Sequence, residues 1–356
     1  MKFEKDQPVD FRNAFFGKIL ELAKLNSNLV LLTGDIGAHA LVKFNELYPN
    51  RIINTGLAEQ NMINVASGLA MNKKKVFAFS MTPFITLRCF EQIKINICSM
   101  KLPVTLVGLG TGFSFERDGA TAQAVTDIAI MRTLPELTIL NPSDPVSAEQ
   151  FAEQAYQNNM PTYVRLDKSK VRPLYESHLD NFQSNFNILA KGKTNKLCLI
   201  STGVMVHKTI ELSQKLSTLN IDNTVLDFYK IKPLNLDEIR KFIKEFEYIA
   251  TIEEHSFVGG LGSLFSEIIC DGDLNTKLIR FGLKDEQCFV IGGGKTYFRF
   301  APYITHIYVT PHPYVFGKGV PLFDGTPEEM SLVFQDLVTA NDKRGIYQYQ
   351  YKVLKQ

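Results

Sequence analysis

Two doubly wound α/β domains in tandem are what this sequence predicts, and three observations carry that reading. Short apolar runs alternate with longer helical patterns as far as about residue 170. A polar stretch with sparse periodicity follows, and a second alternating series opens at Leu197. Alternation of this kind builds parallel sheets covered by helices on both faces.

Taken in order, Phe11 to Leu25 is the first helical pattern. The runs Leu29–Leu32, Val76–Phe79, Val104–Val107 and Leu137–Leu140 are continuously apolar, as strands buried on both faces must be. Between and after them lie helix candidates at Asn61 to Met71, Thr86 to Met100 and Thr126 to Leu134, and Thr162–Leu166 closes the series as a strand. These elements make a first domain over residues 1–170, with 171–196 as a linker wrapping into a second domain over 197–356. That second domain reads as strand Leu197–Ile200, helix His207–Leu219, strand Thr224–Phe228, helix Leu236–Glu245, strand Tyr248–Ile252 and helix Leu261–Cys270. From about residue 287 the pattern degrades into an Ile291-Gly-Gly-Gly294 run and Pro/Tyr-rich segments, an atypical tail expected to be an ordered extension.

Composition narrows the function. The chain has 356 residues, 45% hydrophobic and 21% charged, the balance of a soluble globular protein. A net charge of +2 gives no electrostatic reason to expect nucleic acid or an anionic membrane as partner. No apolar run approaches the roughly 20 residues of a membrane helix, and the N-terminus lacks the apolar core of a signal peptide. Five scattered cysteines without CxxC spacing argue against a zinc site or a disulfide framework, so the cytoplasm is the expected location.

The most informative segment is Arg51 to Ala70, which sets Glu59 in a Gly-Leu-Ala-Glu-Gln turn between a short apolar strand and a helix rich in small residues. A carboxylate so placed is poorly solvated; its proton affinity is expected to rise, and it can hydrogen-bond a ring nitrogen. The helix macrodipole alone also favours an acidic residue there, so the neighbouring segments decide. Asp35, in Leu32-Thr-Gly-Asp-Ile36, falls at the carboxyl end of a strand, as Glu59 does, and ligands of open α/β sheets gather at such ends. Phe79-Ser-Met-Thr-Pro-Phe84 offers an aromatic ring able to stack on a flat heterocycle. Glu116-Arg-Asp-Gly-Ala-Thr-Ala-Gln123 is an acidic loop, and Tyr163-Val-Arg165-Leu places an arginine at a strand end.

These segments together resemble the transketolase family of thiamine-diphosphate enzymes. The resemblance spans residues 8 to about 285 and includes Leu226–Leu234 and Thr251–Gly262 in the second domain. It implies a pyrimidine-binding domain followed by a smaller transketolase C-terminal-like domain. Glu59 would protonate the cofactor's aminopyrimidine and so activate its thiazolium, Phe84 would stack on that ring, and Asp35 and Leu57 would line the cofactor. Arg12, His39, Asp118 and Arg165 would meet the substrate, the two arginines at a phosphate. Two departures stand out: Met81 replaces one of two usual aromatics, and Ala122 replaces the loop histidine. No histidine occurs between His39 and His178, which removes imidazole-assisted proton transfer from this loop.

The family's diphosphate-binding domain, with its Gly-Asp-Gly motif and Asn, has no counterpart here. The resemblance therefore implies one subunit of a split enzyme, active with an N-terminal diphosphate-binding partner in an α2β2 assembly. That partner would hold most of the Mg2+ coordination. The expected activity is transfer of a two-carbon ketol unit between sugars or sugar phosphates. A deoxyxylulose-phosphate-synthase-like enzyme, the β subunit of a 2-oxo acid dehydrogenase and a non-catalytic paralogue share the architecture and stay open. Glycines 259, 260 and 262 read as the start of a helix, because the full G-x-G-x-x-G order after a strand is absent.

Overall fold

The structure is a computed structural model and describes residues 7–115, 118–176, 182–284, 306–309, 330–341 and 346–355. The chain forms two units, residues 1–286 and 287–356.

In the first unit, β1 (Val9–Asp10) runs into α1 (Phe11–Leu25), whose first turn is fixed by the Asp10 carboxylate accepting the Arg12 N–H at 2.9 Å. There follow β2 (Leu29–Thr33), α2 (His39–Leu47), β3 (Ile52–Asn54), α3 (Glu59–Met71), β4 (Lys75–Met81), α4 (Thr82–Ile85) and α5 (Phe90–Gln92). Next come β5 (Val104–Leu109), α6 (Asp127–Met131), β6 (Thr138–Leu140), α7 (Pro145–Gln157), β7 (Thr162–Leu166) and β8 (Lys170–Val171). The later half adds β9 (Asn187–Ala190), β10 (Leu197–Ser201), α8 (Met205–Thr218), β11 (Thr224–Asp227), β12 (Lys230–Lys232), α9 (Leu236–Ile243), β13 (Tyr248–Ser256), α10 (Leu261–Asp271) and β14 (Lys277–Leu283).

These strands build a seven-stranded sheet of order β12-β6-β7-β5-β4-β2-β3, parallel except for β12, and a five-stranded sheet of order β14-β13-β10-β11-β9, parallel except for β9. Strand β12 is the surprise: it follows the first strands of the second sheet yet pairs with β6 at the edge of the first. The apolar packing matches. On one face of the first sheet, Phe11, Phe15 and Phe16 of α1 meet Phe77, Phe79 and Phe151. On the other, Met62, Ile63 and Ile93 continue through Ile128 and Met131 into Ile231, Phe228 and Phe265, so one core joins the two sheets. Each such side chain, fully buried, contributes about 1.5–3 kcal/mol.

Three differences from the sequence expectation have physical causes. The helix expected over Thr86 to Met100 is broken: α4 ends where the Thr86 hydroxyl bonds back to the Thr82 carbonyl at 2.6 Å, and Ile93–Cys98 winds as a π-helix. The apolar pattern does not predict helix α7, which is rich in Ala, Gln and Glu with little apolar contrast. A capping box of Asp144 and Ser147 with Pro145 at its first position starts it instead. Helix α2 likewise has a short, mixed pattern.

In the second unit, β15 (His306–Val309), β16 (Met330–Asn341) and β17 (Ile346–Lys355) form an antiparallel sheet of order β15-β17-β16. The Ile291–Gly294 run lies outside the described residues.

Candidate functional site

The chemistry gathers at one edge of the seven-stranded sheet, where the parallel strands β2, β3, β4, β5 and β7 all end. Parallel register makes this unavoidable: Thr33 lies beside Asn54 and Phe79, and Met81 beside Leu109, so the loops that follow share one rim.

Glu59 is the first residue of α3 and only 1% exposed. Its Oε1 accepts from the Ser80 hydroxyl at 3.1 Å, and its Oε2 pairs with Arg88 Nη1 at 2.8 Å. The expected burial is present, but the carboxylate is compensated by a guanidinium that sequence reasoning missed. Arg88 also lies over the Phe84 ring, 4.3 Å from its centroid, so a planar group already rests on the ring nominated for stacking. Phe84 is half-buried. Nearby Cys89 is inert as a nucleophile: burial, and then the Glu59 charge, push its thiol up to about 12.

Backbone passes close to Glu59 at Gly34. A Cβ on Gly34 would lie 3.0 Å from Ser80 Oγ and 3.3 Å from Glu59 Oε1, so glycine keeps open a cradle that any side chain would fill. Asp35, next in sequence, adopts the left-handed region at φ 57° and accepts from Asn54 Nδ2 at 3.1 Å. A non-glycine residue in that region at a strand end is the kind of strain that collects at ligand sites. Leu57 stands 76% exposed, with Leu87 also exposed, so an apolar rim flanks the cradle. A flat, hydrogen-bonding heterocycle such as the aminopyrimidine fits this combination of buried carboxylate and glycine neighbour, with Arg88 resting on the Phe84 face that the structure shows covered.

The substrate candidates are placed differently. Arg12 Nε and Nη2 are held by Asp10 Oδ1 at 3.1 Å and Oδ2 at 2.7 Å, and Nη1 approaches the Gly37 carbonyl. His39 is exposed at the start of α2, and Asp118 is exposed in the loop after β5. Ala122 is buried, and Glu116 and Arg117 lie outside the described residues. Arg165 is 5% exposed and clamped by Asp127, Nε to Oδ2 at 2.7 Å and Nη2 to Oδ1 at 3.0 Å, while Nη2 also donates to the Ala124 carbonyl. Burial pushes the Asp127 carboxyl up, but the Arg165 charge and hydrogen bonds outweigh it and hold the group below its usual range. Tyr163 donates to the same Oδ2 at 2.7 Å. The strand-end arginine is thus part of a closed, buried pair and not an open phosphate fork.

In the second half, His255 accepts from the Ala129 N–H at 3.4 Å and its Nδ1 donates to the Ser256 carbonyl at 2.9 Å. Burial lowers its proton affinity, so it serves as a neutral staple. The glycine cluster does start a helix: Glu253 accepts the Leu261 and Gly262 N–H groups of α10 at 2.6 and 2.8 Å, which occupies the place a nucleotide phosphate would need. Among the described residues, no three His, Cys, Asp or Glu side chains come together as a metal set. Nor, among them, is any helix long and apolar enough to cross a membrane.

Comparison with known proteins adds names to this geometry. Residues 7–173 match the family model for the transketolase pyrimidine binding domain, and residues 187–289 that for the transketolase C-terminal domain. The chain is 34% identical to a putative transketolase C-terminal section of Methanocaldococcus jannaschii, over 77% of this chain and 86% of that one. It is 28% identical to one subunit of the apulose-4-phosphate transketolase of Actinobacillus succinogenes, over 80% and 91%. Among solved structures it superposes on a split-gene transketolase described as an inactive β4 tetramer, with a TM-score of 0.71 at 28% identity, over 78% and 90% of the two chains.

Proposed function

The chain belongs to the transketolase family, and from that membership we propose that it is the C-terminal subunit of a split transketolase. In this reading it transfers a two-carbon ketol unit between sugars with thiamine diphosphate, in company with a diphosphate-binding partner. The observation that carries it is the buried Glu59 carboxylate facing a glycine-floored cradle beside the Phe84 ring.

Residues 1–170 serve as the pyrimidine-binding domain, 171–196 as the linker and 197 onward as the C-terminal domain with its appended tail. Bound thiamine diphosphate supplies a nucleophilic carbon that can hold the two-carbon unit. Glu59 holds and returns a proton at the pyrimidine ring nitrogen, with Ser80 and Arg88 each holding one of its oxygens in place. Phe84 orients the ring by stacking, and Leu57 and Asp35 border it. Arg12, His39, Asp118 and the Arg165–Asp127 pair line the approach of the sugar. The partner covers the apolar rim at Leu57 and Leu87, excluding water, and brings the diphosphate and Mg2+ sites. Relatives named as one subunit or as a C-terminal section of a transketolase, each matched over most of its length, support a two-chain enzyme. So does a solved β-only relative described as inactive. An α2β2 assembly in the cytoplasm is the form we assign.

The test is co-expression with the partner, then ketol transfer from a ketose to glyceraldehyde in the presence of thiamine diphosphate and Mg2+. Glu59→Gln, which keeps shape but cannot exchange the proton, should lower kcat by about 10²–10⁴-fold while the complex still assembles. Transfer that survives Glu59→Gln undiminished would remove this carboxylate from the chemistry.

A further inference from the structure

Building on the transketolase reading, we propose that this enzyme takes ketoses whose far end is a free hydroxyl rather than a phosphate, because both arginines at the substrate rim are already neutralised by carboxylates of this chain. Arg12 is clasped by Asp10 through two hydrogen bonds, at 3.1 and 2.7 Å. Arg165 is clasped by Asp127 in the same two-pronged way, at 2.7 and 3.0 Å. In both, the carboxylate fills the Nε/Nη2 edge of the planar guanidinium, an edge that would otherwise grip a phosphate in the same two-pronged way.

Neither carboxylate is free to leave. Asp10 is buried, sits in β1 paired with β8, and caps α1 by accepting the Arg12 N–H, so pulling it aside would unmake a helix start. Asp127 is wholly buried and also holds the Tyr163 hydroxyl. A phosphate of charge between about −1.5 and −2 placed against either arginine would therefore stand beside a fixed carboxylate, and like charges in one site repel strongly.

Among the described residues, the rest of the rim does not restore positive charge. Asp35 and Asp118 are exposed carboxylates, and Arg88 is committed to Glu59. Lys168 is exposed and rests its ammonium 4.4 Å from the Phe115 ring centroid, where solvent screens it. Exposed His39 can hydrogen-bond a sugar hydroxyl through its ring nitrogens. Ala122 fills the place of an imidazole with a methyl group. Among the described residues what remains is a set of acceptors, Asp35 and Asp118 foremost, suited to the hydroxyls of a neutral sugar.

The experiment uses the co-expressed two-subunit enzyme with glyceraldehyde as acceptor. D-xylulose is compared with D-xylulose 5-phosphate, and D-fructose with D-fructose 6-phosphate. The neutral ketose should show the higher kcat/KM in each pair by tenfold or more. Asp10→Asn preserves the helix cap, since Asn caps as well as Asp, and frees Arg12. It should move the ratio at least tenfold toward the phosphate ester, mainly through KM. A wild-type ratio of one or below overturns the inference, as does a ratio that Asp10→Asn leaves unmoved. Absence of Glu59-dependent transfer from every ketose in the panel would instead strike the transketolase reading on which the inference rests.

Discussion

Glu59 shows how far single residues can be read and where reading stops. Its turn, strand and small-residue helix announced a buried carboxylate, and burial is what the structure shows. Arg88, 29 positions downstream, could not be paired with it in advance, because the intervening helix breaks and rewinds in a way the apolar pattern does not encode. Truncation tests the pair: Arg88→Ala leaves a buried charged acceptor unmatched and should cost about 1–3 kcal/mol in urea unfolding, part of which Arg88→Lys recovers. Equal stability of all three proteins would show the pair to be neutral in the fold. Arg165 carries the opposite lesson. Its strand-end position was legible, but its partner Asp127 sits in a segment whose packing depends on the second half of the chain. Asp127→Ala, by stranding a buried guanidinium, should destabilise by about 3–5 kcal/mol, measurable by the same unfolding curves.

At the scale of elements, the joint between β6, the segment after β8 and β11 is held by buried carboxyls. Asp227, the last residue of β11, accepts from Ser143 Oγ at 2.5 Å and from the Tyr175 hydroxyl at 2.6 Å, both on its Oδ2, while Oδ1 has no partner among the described residues. Burial, against the lowering effect of those hydrogen bonds and with help from the Asp144 charge, pushes its carboxyl up to about 7. The folded protein therefore holds a proton that the unfolded chain releases near pH ~4. This stabilisation is complete below about pH 4 and is lost as pH rises to about 7, at no more than about 1.4 kcal/mol per pH unit. Thermal melts of wild type and Asp227→Asn across that window should converge in slope only above neutrality; parallel curves throughout would refute a protonated Asp227. Burial shifts the neighbouring Asp144 in the same direction, so the comparison of the two proteins, not either alone, isolates the effect. Nothing in the sequence pattern pointed to this joint, since Asp227, Ser143 and Tyr175 come together only through tertiary packing.

For the molecule as a whole, the alternating pattern made both sheets legible because period and length of apolar runs survive any detail of packing. The exchange of β12 did not survive, since Lys230-Ile231-Lys232 is three residues long and looks like a loop. That exchange makes the first unit one cooperative body. Ile231 is buried in the core common to both sheets, so Ile231→Val should lower a single calorimetric transition by about 0.5–1.5 kcal/mol; two separated transitions, with only one displaced, would contradict the shared core.

Strand β12 also sets the order in which the chain can be completed during synthesis. The seven-stranded sheet has its inner strands in hand once Leu166 emerges, but β6 keeps a bare edge until residue 232 follows, a delay of some seconds at ribosomal speeds of about 5–20 residues per second. An uncovered apolar strand edge is a template for pairing with other chains. A nascent protein of this design is exposed to mispairing through that interval, and the late arrival of three residues from the second half ends it.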